Sequence, residues 1–217
     1  MDLSVHLPIL LGAASTSLLI CSLSLLMAAS LSFGAGVALF AGPAWLRAIA
    51  FAYVEIFRGT SLLVQLFWLY FALPLLGISL PPFLTGVLAL GLNTGAYGAE
   101  VVRGALRSVS QQQHEAARAL NFTRSQALWR IVLPQSVVEM LPSFSSLAVQ
   151  NFKDTSLVSM ITIADLTFKT QEIRNLTQDT VAVYGTALLI YFAMAMLIVA
   201  LMRILETRVA RSTGRLS

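Results

Sequence analysis

Three long stretches of this chain contain no Asp, Glu, Lys or Arg, and they limit its fold more than any other feature. They are residues 7–46, 59–99 and 180–202, which are 40, 41 and 23 residues long. A helix of about 20 apolar residues is long enough to cross the hydrocarbon core of a bilayer. The first two stretches are longer than one span, and the third matches one. The sequence therefore predicts an all-α integral membrane protein.

Composition excludes several other classes of protein. Hydrophobic residues make up 57% of the 217 residues and charged residues only 11%, against roughly 25% charged residues in soluble domains. The net charge is +4, but the arginines cluster near the ends of the apolar stretches, which is typical of membrane topology and not of nucleic-acid binding. Cys21 is the only cysteine, so no internal disulfide is possible. No Lys or Arg precedes Arg47, so the first apolar stretch is expected to stay in the protein and not to be cleaved as a signal peptide.

Glycine and proline divide the apolar stretches into five predicted transmembrane helices, all within one domain of residues 1–217. Gly42-Pro43 ends the first helix, and the prolines and glycine between residues 74 and 82 mark a tight connection between two others. The fourth helix is the least hydrophobic, so we expect neighbouring helices to shield it from lipid. The predicted spans are residues 10–39, 52–73, 83–102, 143–164 and 181–202, with an ordered helical loop at residues 103–135.

The distribution of basic residues predicts the orientation of these spans. Five spans place the termini on opposite sides of the membrane, and the cytoplasmic loops are the ones enriched in Lys and Arg. With an outside N-terminus, the opposite face receives only Lys169 and Arg174. The cytoplasmic side then receives Arg47, Arg103, Arg107, Arg118, Arg124, Arg130, Arg203, Arg208, Arg211 and Arg215. The sequence therefore predicts a multi-pass membrane protein with its N-terminus outside and its C-terminus in the cytoplasm.

The predicted cytoplasmic loop contains the signals of two short helices joined by a sharp turn. Helix-forming residues end at Asn121, a residue type that tolerates the left-handed conformation found after helices. Thr123 and Gln126 have the spacing of a capping box that starts a second helix, and we expect Pro134 to close that helix. A rigid paired element of this kind would transmit a push from a partner to the spans. The alternative is a surface helix that lies among the lipid headgroups.

The same loop and three other stretches resemble a known family. HEAARALNFTRSQALWRIVLP at residues 114–134 resembles the EAA loop of the permease subunits of ABC importers. The other stretches are YVEIFRGTSLLVQLFWLYFALP at 53–74, NTGAYGAEVVRGALRSV at 93–109 and NFKDTSLVSMITIADL at 151–166. Together they are similar to the polar amino-acid uptake permeases of the histidine, glutamate, glutamine and arginine type, a group that includes carriers of compatible solutes such as ectoine. The resemblance extends from Leu11 to Arg208.

This resemblance implies a type I importer permease of the MetI-like architecture with a cytoplasmic coupling helix-turn-helix. It implies a location in the bacterial inner membrane. The implied partners, besides the lipid bilayer, are a cytoplasmic ABC ATPase dimer, a second permease subunit that is identical or homologous, and an extracytoplasmic solute-binding protein. The residues implied to couple the permease to the ATPase are Glu115, Ala116, Ala117, Asn121, Ile131, Leu133 and Pro134. Asn121 stands where the family usually has Gly, and Asn can also adopt a positive φ. Ser61 and Ser110-Gln111-Gln112 likewise replace a usual Pro and a usual Pro-x-Gly.

The sequence contains no motif for catalysis, so no enzymatic activity, metal or cofactor is expected of the chain itself. It has no GxxxxGK[ST] phosphate loop, no GxSxG elbow and no pattern of His and carboxylate residues suited to a metal. The function implied is that of a transport subunit powered by a separate ATPase. A transporter that works without an ATPase, with its membrane charges as an ion relay, and a purely structural membrane scaffold are the alternatives.

Polar residues within the predicted spans are the candidates for the substrate path. A single unpaired ion costs at least about 2.5 kcal/mol at the centre of a bilayer, so such groups should face the helix bundle, a cavity or one another. A zwitterionic solute offers an ammonium and a carboxylate, which acidic, basic and amide groups can bind. The candidates are Glu55, Arg58, Asn93, Asn151, Lys153, Asp154, Thr155 and Ser156. The alternative is that Glu55 with Arg58, or Lys153 with Asp154, only hold helices together.

Two further predictions concern the third span. Gly91, Gly95 and Gly98 form a small-residue face suited to close helix packing. Glu100, near the inner end of this helix, is expected to pair with Arg103 three residues later.

Overall fold

Helices account for all the regular secondary structure in the part of the chain that the computed structural model describes. That part is residues 3–212, without the side chains of residues 3–5, 114 and 212; Arg215, counted above among the cytoplasmic arginines, lies outside it. The α-helices are α1 (Leu3–Ala41), α2 (Ala44–Gly59), α3 (Leu62–Phe67), α4 (Pro82–Ser108), α5 (Gln111–Ala119), α6 (Arg124–Ala127), α7 (Leu133–Asp154), α8 (Leu166–Thr177) and α9 (Thr180–Ser212). Short π segments follow α3 (Trp68–Ala72) and α6 (Leu128–Val132), and 3-10 turns cover Leu73–Leu76 and Thr155–Ile161.

Three of the predicted spans lie within single helices. Residues 10–39 fall in α1, 83–102 in α4 and 181–202 in α9. The predicted span 143–164 begins in α7, but that helix tightens to a 3-10 turn from Thr155 and ends at Thr162, whose φ is 68°.

Not every one of these helices is long and apolar enough to cross a membrane by itself. Among the described residues, three segments meet that condition: His6–Ala41, Arg124–Ile161 and Thr180–Arg211. A fourth is added if the bent pair Ala44–Gly59 and Leu62–Leu76 counts as one span. Helix α4 is 27 residues long and is not among these segments. Several of its buried residues are polar, so its mean hydropathy is lower than that of α1 and α9.

The predicted helix 52–73 is wrong as a single straight element. The chain breaks between α2 and α3 with a bend of 103°, where Thr60 and Ser61 adopt extended backbone. The break is stable because side chains replace the missing helical hydrogen bonds. Gln65 Nε2 donates to the Phe57 carbonyl at 2.9 Å and to Thr60 Oγ1 at 2.7 Å, and Asn93 Nδ2 from α4 donates to the same Phe57 carbonyl at 2.9 Å.

Helix α4 packs closely against α1 through the predicted glycine face, which the structure confirms. A Cβ atom at Gly91 would lie 2.8 Å from Met27 Sδ, and one at Gly98 would overlap the Ser32 side chain. At Gly95 a Cβ would approach Leu31 Cβ to 3.0 Å. A larger residue at any of these positions would force the neighbouring side chains or helices to shift. The predicted pair of Glu100 and Arg103 is also confirmed as an ion pair.

A buried polar bridge connects three of the long helices. Asn151 of α7 is fully buried. Its Nδ2 donates to Thr94 Oγ1 of α4 at 2.8 Å, and its Oδ1 accepts from the Ser24 hydroxyl of α1 at 2.9 Å. Away from water such groups must satisfy one another, so this bridge fixes the mutual positions of α1, α4 and α7.

Candidate functional site

An open cavity of about 510 Å³ lies where the α2–α3 break faces α4 and α7. Polar groups from all of these elements converge on it, and apolar side chains complete its wall. The polar and aromatic lining is Thr60, Ser61, Asn93, Thr94, Tyr97, Gln150 and Asp154, and the leucines are Leu62, Leu63, Leu147 and Leu157. A concave, partly apolar site with a few converging polar groups is the usual form of a small-molecule site.

Asp154 supplies the only carboxylate that lines this cavity. It is half-buried at the end of α7, and it accepts a hydrogen bond from Gln150 Nε2 at 2.9 Å. In the described part of the chain no Lys, Arg or His nitrogen lies within 4.0 Å of it, so Lys153 does not form an ion pair with it. A half-buried carboxylate without an ion-pair partner is suited to bind a cation from a ligand.

Asn93 also lines the cavity, but its amide group already serves the helix break. Besides the Phe57 carbonyl, Nδ2 reaches Gln65 Oε1 at 3.3 Å. The residue therefore shapes one wall of the cavity and holds the bend of α2 and α3 in place.

Glu55 and Arg58, the charged pair of α2, are both exposed and do not form an ion pair with each other in the described structure. The Arg58 guanidinium lies over the ring of Tyr97 of α4, 5.3 Å from its centroid, and Tyr97 lines the cavity. Arg58 is thus held at the margin of the cavity by a cation–π contact. Glu55 does not line the cavity.

The remaining four candidates lie outside this cavity. Asn151 is committed to the polar bridge described above. Lys153 is exposed and lines a neighbouring groove of about 410 Å³, together with Gln150, Arg203 and Glu206. The Thr155 hydroxyl donates to the Phe152 carbonyl at 2.7 Å. The Ser156 carbonyl accepts from the Ser159 hydroxyl at 2.8 Å.

Several residues that line the cavity were missed by the sequence analysis: Thr60, Ser61, Thr94, Tyr97 and Gln150. The sequence contains a local signal for two of these positions, Gln150 and Thr60. Gln150 precedes Asp154 by four residues, which places both side chains on one face of a helix. Thr60 follows Gly59 directly, and a glycine followed by two hydroxyl residues is a local sign of a helix end.

The loop after α4 forms the predicted pair of helices and turn. Asn121 has a φ of 59°, and the Phe122 N–H donates to the Ala117 carbonyl at 3.0 Å across the turn. Gln126 N donates to Thr123 Oγ1 at 3.3 Å, while Thr123 N donates to Gln126 Oε1 at 2.9 Å. The predicted left-handed residue and the capping box are both confirmed.

Pro134 does not close the second helix, and this prediction is wrong. The chain passes from α6 through the π segment directly into α7. Leu133 N donates to the Leu128 carbonyl, a bond across five residues. This wider turn makes room for the Pro134 ring, which would clash with a carbonyl in a regular helix, and Pro134 has no N–H to lose in the first turn of α7.

The surface of the two helices is exposed at most of its positions. Glu115, Ala116 and Asn121 are exposed, and Ile131 and Leu133 are half-buried, while Pro134 is exposed. Ala117 is only 1% exposed, so its small side chain permits close packing within this chain. Leu120 and Trp129 are large apolar side chains that remain 68% and 58% exposed. Exposed apolar side chains of this kind mark a surface that contacts another protein or the membrane.

The chain is similar in sequence to a family of transport components and to several permease proteins. The family model described as binding-protein-dependent transport system inner membrane component matches residues 30–211. The chain is 52% identical over 197 residues to the probable amino-acid ABC transporter permease protein y4tF of Sinorhizobium fredii, covering 88% of this chain and 83% of that protein. It is 31% identical over 204 residues to the glutamine transport system permease protein GlnP of Escherichia coli, covering 93% of each.

Solved structures share the fold. The crystal structure of an amino acid ABC transporter with histidines matches with a TM-score of 0.88 at 29% identity, covering 95% of this chain and 97% of that chain. The MetNI methionine ABC transporter in an inward-facing conformation matches with a TM-score of 0.75 at 18% identity, covering 94% and 96%. The second match concerns the fold alone.

Proposed function

The chain belongs to the family of binding-protein-dependent transport system inner membrane components, and on that premise we propose that it forms half of the membrane path of an ATP-driven importer of polar amino acids. Its relatives are permease subunits without an ATPase site of their own. The transport subunit described here therefore works with a separate ATPase and with a binding protein that delivers the solute. A polar amino acid is the substrate class, and a related zwitterion such as a compatible solute is the closest alternative.

The path would be built from five spans with the N-terminus outside. Helices α1 and α9, the bent pair of α2 and α3, and the continuous segment of α6 and α7 account for four of them. Helix α4 is the fifth. Its lower hydropathy fits this role because its buried positions face other helices and not lipid. Helix α8 would then lie outside, and α5 with its turn in the cytoplasm.

The observation that carries the proposal is the exposed, rigid turn at Asn121. A left-handed residue and a capping box hold its two helices at a fixed angle, and the second helix continues without a break in the chain into α7. Glu115 presents its charge on the exposed side of the first helix. We assign Glu115, Ala116, Asn121, Ile131, Leu133 and Pro134 to contact with the ATPase, and Ala117 to packing beneath them.

The cavity at Asp154 is the proposed contact site for the solute. Its carboxylate would take the ammonium of an amino acid, because no cation of the described chain lies within ion-pair distance of it. Arg58, held beside Tyr97, would take the carboxylate. Asn93, Thr94 and Gln150 supply neutral hydrogen-bonding groups between these two ends. Glu55, Asn151, Lys153, Thr155 and Ser156 would support the path from outside the cavity.

The first test is to purify the tagged chain from its native membranes with nucleotide present and to identify the bound subunits. The transporter is then placed in liposomes with its binding protein, and uptake of labelled amino acids is measured with and without internal ATP. ATP-dependent uptake that an uncoupler does not abolish is expected. Uptake that needs a proton gradient and no ATP would overturn the proposal in favour of an ATPase-independent transporter.

Two substitutions test the two assigned sites separately. Glu115→Lys should reduce ATPase association or coupled uptake while membrane insertion is kept, and Thr207→Lys at the predicted cytoplasmic end of α9 is the control for added charge. Asp154→Asn should lower the uptake rate more than the protein abundance. Normal uptake by Glu115→Lys would remove the coupling role, and a loss of folded protein alone in Asp154→Asn would favour a structural role.

A further inference from the structure

A second cavity, of about 630 Å³, lies at the predicted cytoplasmic edge of the membrane. Its walls are the end of α1, the start of α2, the turn after α5 and the π segment. The inner wall is apolar and is formed by Val37, Phe40, Leu46, Leu128 and Val132. At Gly34, which also lines this cavity, an added Cβ would meet no atom within 4 Å, so the space extends to the backbone of α1.

Three arginines surround this apolar space. Arg47 comes from α2, Arg118 from the last turn of α5 and Arg124 from the first position of α6, and no Asp or Glu lines the cavity. None of the three lies within 4.0 Å of a carboxylate in residues 3–212. Arg47 Nη2 donates to the Gly42 carbonyl at 3.2 Å, which leaves most of its donors available. Three like charges beside one cavity favour an anionic occupant.

The neighbourhood of the cavity is suited to lipid. Trp45 and Ile49, on either side of Arg47 in α2, are 66% and 60% exposed. An exposed Trp beside exposed aliphatic residues is typical of the interface between headgroups and acyl chains. We therefore expect Arg47 at the depth of the lipid phosphates, next to the apolar wall of the cavity.

From this combination we propose that the cavity binds one anionic phospholipid of the cytoplasmic leaflet. Its phosphodiester lies between Arg47, Arg118 and Arg124, and one acyl chain lies along the apolar wall toward Gly34. Basic pockets beside transmembrane helices on the cytoplasmic side bind anionic headgroups by this chemistry. A small soluble anion would use the arginines but leave the apolar wall exposed to water, so it fits only half of the cavity.

Such a lipid would join the turn at Asn121 to the first two helices. Arg118 and Arg124 flank the turn at Asn121, while Arg47 and Gly34 belong to the first two helices. The bound lipid would therefore act as part of the support of the turn. This inference does not rest on the identity of the transported solute.

The test uses the complete transporter with its ATPase subunits, stripped of lipid in detergent and titrated with palmitoyl-oleoyl-phosphatidylglycerol. Native mass spectrometry counts the lipids bound to each permease subunit. Palmitoyl-oleoyl-phosphatidylcholine is the neutral competitor, and glycerophosphoglycerol is the headgroup without chains. We expect one tightly held phosphatidylglycerol per copy, with the neutral lipid and the free headgroup each at least about tenfold weaker.

Matched variants locate the bound lipid. Arg47→Gln combined with Arg118→Gln should weaken the anionic lipid about tenfold or more, and Arg208→Gln, an exposed arginine on the same predicted face, should not. Gly34→Leu should fill the acyl-chain space and weaken binding, whereas Gly12→Leu, whose Cβ also meets no atom within 4 Å, should not. Size-exclusion profiles show which variants assemble. If the double arginine variant does not assemble, the comparison of Gly34→Leu with Gly12→Leu still tests the proposal.

Three results would overturn the proposal. The first is equal loss of phosphatidylglycerol in Arg208→Gln and the arginine pair, which would mean general surface charge. The second is equal binding of glycerophosphoglycerol, which would mean a site for a soluble anion. The third is absence of a retained lipid in the complete transporter but its presence in the permease alone, which would mean that the ATPase covers the cavity.

Discussion

Asn151 and Gln150 are neighbours on α7, yet the structure assigns them opposite roles. Asn151 is fully buried in a bridge to α1 and α4, whereas Gln150 is exposed and reaches into the cavity to donate to Asp154. We predict that Asn151→Ala lowers the stability of the permease without changing its affinity for solute. Gln150→Ala should do the reverse.

The size of the first effect follows from the hydrogen bonds that the Asn151 side chain forms. It makes two such bonds to side chains of other helices, and hydrogen bonds of this kind within membranes are worth about 0.6 kcal/mol on average and about 1.7 kcal/mol at most. Asn151→Ala should therefore cost about 1–3 kcal/mol. At about 1.4 kcal/mol per factor of ten, the unfolded fraction should rise roughly fivefold to 150-fold.

The assay is thermal unfolding of the assembled transporter in detergent, followed by uptake in liposomes with equal amounts of folded protein. Asn151→Ala should show a lower Tm and an unchanged KM for the solute delivered by the binding protein. Gln150→Ala should keep its Tm and show a changed KM or transport rate. A wild-type Tm with a changed KM in Asn151→Ala would refute the structural assignment and return this residue to the substrate path.

Two further predictions concern the turn and the outer loop. Asn121→Val should strain the left-handed backbone by about 1–2 kcal/mol and lower solute-stimulated ATP hydrolysis severalfold, whereas Asn121→Gly should retain it; equal activity of both would contradict the role of the φ angle. Burial raises the pKa of Asp165, which caps α8, to about 6. The native state then holds this proton between about pH 4 and pH 6 while the unfolded chain releases it, so stability should fall by about 3 kcal/mol as pH rises through this range. Asp165→Asn keeps a capping oxygen and should remove this fall in Tm; parallel Tm curves would contradict the assignment.

Local sequence signals predicted those parts of the fold that depend on a few neighbouring residues. The uncharged stretches predicted α1, α4 and α9, because the bilayer sets the length of a span. Asn121 and the pair Thr123 and Gln126 predicted the turn, because a left-handed residue and a capping box are determined within six residues. The glycine face of α4 was predicted for the same reason, since 91, 95 and 98 share one side of a helix.

The break between α2 and α3 could not be predicted in this way. The Phe57 carbonyl at the break accepts hydrogen bonds from Gln65 and from Asn93. Asn93 lies on another helix, more than 30 residues away along the chain. A hydropathy profile averages over this region and finds only an apolar stretch. The helical path through Pro134 was missed because a π turn that accommodates proline depends on backbone geometry and not on a residue type.

The candidate site was predicted only as a list of polar residues without directions. Successive residues of a helix point about 100° apart, so the side chains at the five consecutive positions 150–154 cannot all face the same part of the protein. Asp154 and Gln150 face the cavity, Asn151 faces α1 and α4, and Lys153 faces a separate groove. Composition marks this segment as polar, but only the packing of neighbouring helices decides which side chain meets a solute.

The course of α7 explains how the two candidate sites could act together. One helical segment runs from Arg124 to Ile161, so it begins at the turn proposed to bind the ATPase and passes the cavity at Asp154, roughly 45 Å along its axis at 1.5 Å per residue. A tilt of this segment at the turn would move Asp154 and Gln150 without any intermediate element. Pro142 lacks the N–H that would bond within this helix, and the π turn lies directly before Pro134, so we expect the segment to bend at these two positions. Motion of the turn would therefore displace the part of α7 beyond Pro142. This displacement would change the position of the Asp154 carboxylate relative to Asn93 on α4.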